Sequence, residues 1–565
     1  MRINGHAHIF NLHTVLTRHA ITIMVQRIRD LNVPDFVADA VERFLAEQVV
    51  TPEYLVEEEL LARFLKHIGD TSTFKNFVNT TNNLPVEIRL MGGGVQALQI
   101  SALRAALDRI SSWFDDGATT KTTVLDVFET LRLAMQADVT GVAATILEDM
   151  RAGDGLIALM MDITSEQTQE VDEKKFRTQL KGTADAACAF PGRVFPFVAI
   201  NTRRAKHYDF LREAVERHGF VGVKLYPSLG VPVDSSPMLK VYDYCLENEL
   251  PILLHCTLTG FYESQQTQQL GDPSFWWPIL EQRPELRVCF AHSGGLAQGV
   301  LTSGGPSGTQ WPAEIETLML SYANVYCDLA YHVDQMVSPQ NEQFYLKWLR
   351  RLLADERLND RVMFGTDVWL VRLSLADEHY WKWFESKLSP LELASIMEEA
   401  PAGFLGLPVG GKPMRKNIAR LVEHLREQPG VGTDPVPWLN AVSPQSWTVL
   451  RGNPAWTPNN HAHKVTHGFF RGFMTGAQKK LEFSAAGALR LRQFTYFRNA
   501  SAEDFNAVGQ SLVQFCQNSA GTFEGEYRTN SAIGKVAELA ADGEKTLADA
   551  GATIDAIFRF PTESI

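Results

Sequence analysis

The feature that most constrains this fold is an alternation. From about residue 155 to 365, apolar, β-branched runs of four to seven residues recur at 156–161, 194–200, 220–225, 251–254, 286–291, 325–329 and 361–365. Between them lie stretches with apolar residues at helical spacing: 209–219, which ends on Gly219, then 238–248, then 341–353, rich in Tyr, Trp and Leu. Strand–helix alternation implies a parallel sheet. An eighth apolar run opens the chain at 3–10. Eight strands close a (β/α)8 barrel, although an open doubly wound sheet can also hold eight.

What stands at the end of each run argues for the barrel. In order these residues are His6 and His8, Asp162, Asn201, Lys224, His255, His292, Asp328 and Asp367. His6 and His8 are two apart, so they project from one face of a strand. In a parallel barrel the C-terminal strand ends converge on one mouth, where active sites are built. A buried polar group without a partner costs a few kcal/mol, so a ring of them is expected only where a ligand, a metal or water satisfies it. For the same reason a set of unrelated core histidines and acids is disfavoured.

Length and charge bound the rest. A barrel of roughly 250 residues with insertions accommodates much of a chain of 565 residues. With 45% hydrophobic and 21% charged residues the chain can bury a large core. A formal net charge of -13 argues against nucleic acid as a partner, yet a small anionic substrate remains compatible with a locally positive cleft. No apolar run reaches the ~18 residues of a membrane span, and the first strand begins too early for a secretory signal. The six cysteines form no Cys-x-x-Cys pair and sit mostly in apolar runs, which suits reduced thiols. The expected location is the cytoplasm.

Residues 12–151 read as a helical insertion after the first strand, with helical spacing at 55–65, 95–103 and 126–135. Past Pro408 the turn Gly410-Gly411-Lys412-Pro413 closes the barrel. Residues 409–565 read as a mostly helical extension: a helix over 415–427, an irregular covering segment over 435–460, and helical periodicity over 501–558. It is expected to cap the barrel or to serve as a homo-oligomer contact. The domain division is thus 1–11 with 152–408 for the barrel, 12–151 for the insertion and 409–565 for the extension. His461, His463 and His467 read as a polar surface cluster rather than a second metal site, because no cysteine or acid stands near them.

Taken as an ordered set, His6-Ala7-His8, His255 after Ile252-Leu253-Leu254, His292 in Phe290-Ala291-His292-Ser293-Gly294-Gly295, and Asp367 in Phe364-Gly365-Thr366-Asp367 resemble the metal-dependent amidohydrolase superfamily. Within it, the set is similar to the branch holding hydrolases and decarboxylases of the aminocarboxymuconate-semialdehyde decarboxylase type. Gly222-Val223-Lys224-Leu225-Tyr226-Pro227 is similar to a fourth-strand signature of that branch. The helix over 396–407 departs from it, lacking the Gly-Asn-Ala found there in many relatives, and the insertion and extension are unusually long.

The resemblance implies a barrel enzyme with His6, His8, His255 and Asp367 as metal ligands, Asp367 also as the catalytic base, and His292 beside the reacting water or the substrate. Three histidines and a carboxylate suit zinc, or manganese if more oxygen ligands join. Lys224 is read either as a bridge between two metals, once carbamylated, or as an ammonium pairing with Asp162 or a substrate carboxylate. Asp162, Asn201, Arg203 and Trp369 are further substrate-binding candidates, although an arginine pair such as Arg203-Arg204 is commonly a solvated loop. The 293–308 Gly/Ser-rich stretch reads equally as a lid or a plain connector. The expected function is hydrolysis of a carboxylic ester, lactone or amide of a small molecule by a metal-activated water. Decarboxylation of an unsaturated or aromatic acid is the alternative, and a non-catalytic binding barrel the alternative from another class.

Overall fold

The computed structural model describes residues 1–76, 122–163, 173–295, 311–408 and 413–428 with short gaps, isolated residues such as Leu107 and Trp438, and the strands 479–483 and 489–493. Eight parallel strands follow one another in chain order around a single sheet: β1 Ile3–His8, β2 Gly155–Leu159, β3 Val194–Ile200, β4 Gly222–Leu225, β5 Ile252–Leu254, β6 Val288–Phe290, β7 Val325–Asp328 and β8 Val362–Met363. Every residue of these strands is buried, as expected of a parallel sheet covered by helices on its outer face.

The seam between β8 and β1 is closed by single bonds rather than by a regular ladder. Gly5 N donates to Phe364 O at 2.8 Å and Asp367 N to His6 O at 2.8 Å. The Asn4 side chain clamps the same seam: its Oδ1 accepts from Thr366 N at 3.0 Å and its Nδ2 donates to Thr366 Oγ1 at 2.8 Å. The strands approach so closely here that a Cβ on Gly5 would stand 2.7 Å from Phe364 O. The barrel therefore closes, as the strand-end pattern predicted.

The crossover helices fall where the spacing placed them: His207–His218, ended by Gly219 at φ +67°, then Ser236–Glu247 and Pro339–Ala354. Gly219 adopts the left-handed conformation that a helix C-terminus favours.

Between β1 and β2 stand the helices Arg18–Asp30, Asp35–Val50, Glu57–Asp70, Val124–Ala134 and Val139–Glu148. The first four share an apolar core with Phe10, Met161, Tyr226 and Leu373, so they pack on the barrel mouth. Val139–Glu148 instead buries Val139, Val142, Ala143, Ile146 and Leu147 in the barrel core and acts as the crossover helix from β1 to β2. The 95–103 expectation lies outside the described residues.

At the other end of the barrel, helix Lys416–Glu427 is fixed by Asn417 Nδ2, which donates to Val221 O at 2.8 Å and Leu405 O at 3.0 Å. Trp438 Nε1 donates to Gly192 O at 3.0 Å on the same side. Further on, β9 Lys479–Phe483 and β10 Leu489–Gln493 pair antiparallel, strands that the sequence reading did not include. The helical expectation for 501–558, the irregular 435–460 segment except Trp438, and His461, His463 and His467 lie outside the described residues. No described helix is long and apolar enough to cross a membrane. Five cysteines are free and four of them buried, and Cys516 lies outside the described residues.

Candidate metal centre and active-site cavity

The strand ends bring His6, His8, Lys224, His255, His292, Asp328 and Asp367 into one buried cluster. Ligand atoms of His6, His8 and Asp367 lie within 4.8 Å of one another, and so do those of His6, His292 and Asp328. The His6 ring stands 5.0 Å from that of His292, and the His255 ring 4.9 Å from that of His292.

Partners fix which nitrogen of each ring carries the proton. His292 Nδ1 faces Ala330 O at 3.0 Å, and His255 Nε2 faces Thr259 O at 2.9 Å. A carbonyl only accepts, so both nitrogens donate and both rings keep their other nitrogen bare. Those bare nitrogens, His292 Nε2 and His255 Nδ1, point at each other across 3.2 Å. His6 Nδ1 pairs with Asp328 Oδ2 at 2.9 Å, which turns its Nε2 toward the Lys224 ammonium at 3.4 Å. His8 Nδ1 is buried with no hydrogen-bond partner.

Lone pairs facing one another without a proton between them are unfavourable unless a cation joins them. Two carboxylates, Asp328 and Asp367, stand here against one ammonium. The donor set therefore fits a divalent metal, with nitrogen ligands from His6, His8, His255 and His292 and oxygen from Asp367 or Asp328. Asp328 also fixes the scaffold, accepting from His292 N at 2.8 Å and Ala330 N at 3.1 Å.

Burial dominates the protonation of the cluster. It pushes the imidazoles of His6, His8 and His255 well below their ordinary value, aided by the Lys224 charge and, at His255, by His292. His292 is pushed down to about 3, by burial and then by His6. Asp367 is raised by burial, while Lys224 opposes the shift and Asp328 adds to it. Lys224 is lowered by burial against the pull of Asp367 and Asp328. All four imidazoles are thus neutral at pH 7 and free to ligate.

A cavity of about 780 Å³, its open mouth included, runs from His8 and Asp367 to the insertion. Its walls are mainly apolar, with Phe10, Met24, Leu45, Leu131, Phe261 and Trp369 among them. Trp369 stacks on Phe10 with centroids 4.4 Å apart and planes 5° off parallel, and its Nε1 donates to His8 O at 2.7 Å. Tyr226 stacks on His255 at 4.0 Å and holds Phe261 N through its hydroxyl at 2.9 Å. Arg27 reaches the cavity from helix Arg18–Asp30. Its Nη2 donates to Tyr331 Oη at 3.3 Å, and its buried Nε has no partner.

Of the residues singled out in the sequence, His6, His8, Lys224, His255, His292 and Asp367 meet in the cluster, and Trp369 lines the cavity. Asp162, Asn201 and Arg203 do not line it. Asp162 is paired with Arg204 at 2.7 and 2.9 Å, Asn201 Oδ1 accepts from Arg203 N at 3.0 Å, and Arg203 pairs with Glu263. Lys224 accordingly faces Asp367 and Asp328 rather than Asp162. Asp328 stood among the strand ends but carried no assigned role, and Arg27 was missed. It lies in the last turn of an amphipathic helix, where an arginine reads as a partner of the helix dipole.

Residues 149–407 match the family described as amidohydrolase, a span that leaves β1 outside although the sheet includes it. No curated protein matches the chain. Among solved structures it is similar to a 2,6-dihydroxybenzoate decarboxylase from Rhizobium, at 14% identity and a TM-score of 0.34, over 46% of this chain and 87% of that one. It is similar to a putative 2-pyrone-4,6-dicarboxylic acid hydrolase from Pseudomonas putida at 17% identity and a TM-score of 0.34, over 46% and 86% of the two chains. A third is a 5-carboxyvanillate decarboxylase from Novosphingobium aromaticivorans, solved with bound manganese, at 13% identity and a TM-score of 0.33, over 54% and 94%. The barrel of this chain is thus similar to the amidohydrolase family over residues 149–407.

Proposed function

We propose that the chain is a divalent-metal-dependent hydrolase of a small carboxylic ester, lactone or amide. The observation that carries this reading is the meeting of bare, buried imidazole nitrogens beside two carboxylates at the C-terminal strand ends. When bound, the cation, zinc first and manganese second, supplies a Lewis acid and makes water nucleophilic at neutral pH.

The side chains do the rest. Asp367, whose proton affinity burial has raised, takes the proton from the attacking water and returns it to the leaving group. Lys224 stands beside it as an ammonium and offsets the charge of the two carboxylates. His292 keeps a bare Nε2, so it serves as a ligand or proton acceptor and not as a donor to an oxyanion. The unpartnered Nε of Arg27 supplies a cation for an anionic group of the substrate, while the apolar walls exclude water and hold its body.

The same apolar cavity with a lone arginine supports a second reading, decarboxylation of an unsaturated or aromatic acid, because an apolar site favours dispersal of a carboxylate's charge. Elemental analysis of the wild type and of His6→Ala/His8→Ala tests the metal. About one equivalent in the wild type, lost in the double variant, supports a mononuclear centre with Lys224 as an ammonium. Two equivalents would bring Lys224 in as a bridge. Release of CO2 from acids, set against release of acid from esters and lactones, separates the two reactions. Absence of metal after reconstitution would sink both and leave a binding barrel.

A further inference from the structure

After β6 the chain enters a run of four left-handed residues: His292 at φ +58°, Ser293 at +45°, Gly294 at +77° and Gly295 at +80°. Two of them are not glycine, so the turn persists only because its surroundings hold it. Within the cluster, Asp328 does so twice: its Oδ1 accepts from His292 N, and its carbonyl accepts from Ser293 Oγ at 2.7 Å. A further hold comes from outside, on a carbonyl that also accepts from Gly295 N at 2.9 Å. His332 Nε2 lies 3.1 Å from the carbonyl oxygen of His292 and must donate to it, since the carbonyl only accepts.

His332 is itself fixed from every side. Its Nδ1 lies 2.9 Å from Tyr345 Oη on helix Pro339–Ala354, and its backbone N donates to Tyr380 Oη at 3.0 Å. Tyr380 in turn donates to Leu329 O at 2.5 Å. His332, Tyr345 and Tyr380 are all buried. With Nε2 protonated on the carbonyl, the neutral ring receives the Tyr345 hydroxyl at Nδ1, and the polarity of the chain is set: Tyr345 to His332 to the His292 carbonyl.

We infer that His332, oriented by Tyr345, is a positioning residue that holds the left-handed turn at His292 and so aims His292 Nε2 at His255 Nδ1. It touches neither the cavity nor the ligand cluster through its own ring, and acts only through the backbone of His292. The purpose of that aim rests on the metal reading above; the dependence of the turn on His332 does not.

The test compares wild type with His332→Leu, His332→Gln and Tyr345→Phe, each checked for folding by circular dichroism. Glutamine is the conservative variant, because its amide can donate where Nε2 does. The first readout is hydrogen exchange of the 290–296 amides in metal-free protein. It should quicken about tenfold or more in His332→Leu, return toward wild type in His332→Gln and fall between in Tyr345→Phe. The second is Co2+ binding followed by its visible absorption, where His332→Leu should lose about 10- to 100-fold in affinity with an altered band, recovered by glutamine. Wild-type exchange and cobalt binding in a folded His332→Leu would overturn the inference. If His332→Leu does not fold, Tyr345→Phe decides, with wild-type behaviour in both readouts overturning it. A wild type that takes up no cobalt is a failure of the metal reading, and the exchange result then decides the turn alone.

Discussion

At the scale of the residue, the cluster is organised by which nitrogen carries a proton. Ala330, Thr259 and Asp328 each take an imidazole N–H, and the remaining nitrogens turn inward. Asp367 lines the cavity and is raised by burial, so removing its charge should remove proton transfer. Asp367→Asn is expected to lower kcat by about 10²- to 10⁴-fold while the fold persists. Arg27→Met should instead act on binding. A charge-assisted hydrogen bond contributes about 1.5–3 kcal/mol, so KM for an anionic substrate should rise about 10- to 100-fold with kcat changed far less. Equal loss in kcat would argue that Arg27 acts in the transition state. The candidate ligand residues were legible because strand side chains alternate and strand ends converge. Arg27 was not, since its helix packs over the mouth from 120 or more residues before β2 and its spacing only announces an amphipathic helix.

At the scale of the element, β1 matters more than its six residues suggest. It brings two of the imidazoles and joins β8 through Asn4. Asn4 Oδ1 also accepts from His6 N at 3.2 Å, so one side chain serves the seam and a candidate ligand. Asn4→Ala would leave the buried N–H of Thr366 and the N–H of His6 short of a partner. Each such loss costs about 1–3 kcal/mol, so the variant should lose about 2–6 kcal/mol in urea unfolding with an unchanged slope. A loss below about 1 kcal/mol would mean water replaces the amide. The strands were legible because all are buried on both faces and read as apolar runs. The role of Val139–Glu148 was not, because an insertion helix and a crossover helix share one period. Only the packing of Val142 and Ile146 into the barrel core separates them.

At the scale of the molecule, the buried imidazoles tie stability to pH. His6, His8, His255, His292 and His332 are all held below their ordinary value by burial. A base depressed in the folded state binds its proton more readily when unfolded, so acid favours unfolding. The histidine contribution to stability should be complete above pH ~7 and fall below ~6.5, by about 1.4 kcal/mol per pH unit for each histidine that stays neutral when folded, with Asp367, raised by burial, offsetting one such histidine on the acid side. Urea midpoints of metal-free protein at pH 7.5, 6.5 and 5.5 check this; a flat profile would mean that the cluster accepts protons without opening.

The clamp between Asn4 and Thr366 joins residues 362 positions apart. A ribosome adds about 5–20 residues each second, so β1 emerges roughly 20–70 s before its β8 partner exists. Throughout that time His6 and His8 ride on an unpaired strand, and no nascent chain shorter than residue 367 can complete the cluster. Chains interrupted before that point should therefore carry the histidine pair but none of the assembled centre.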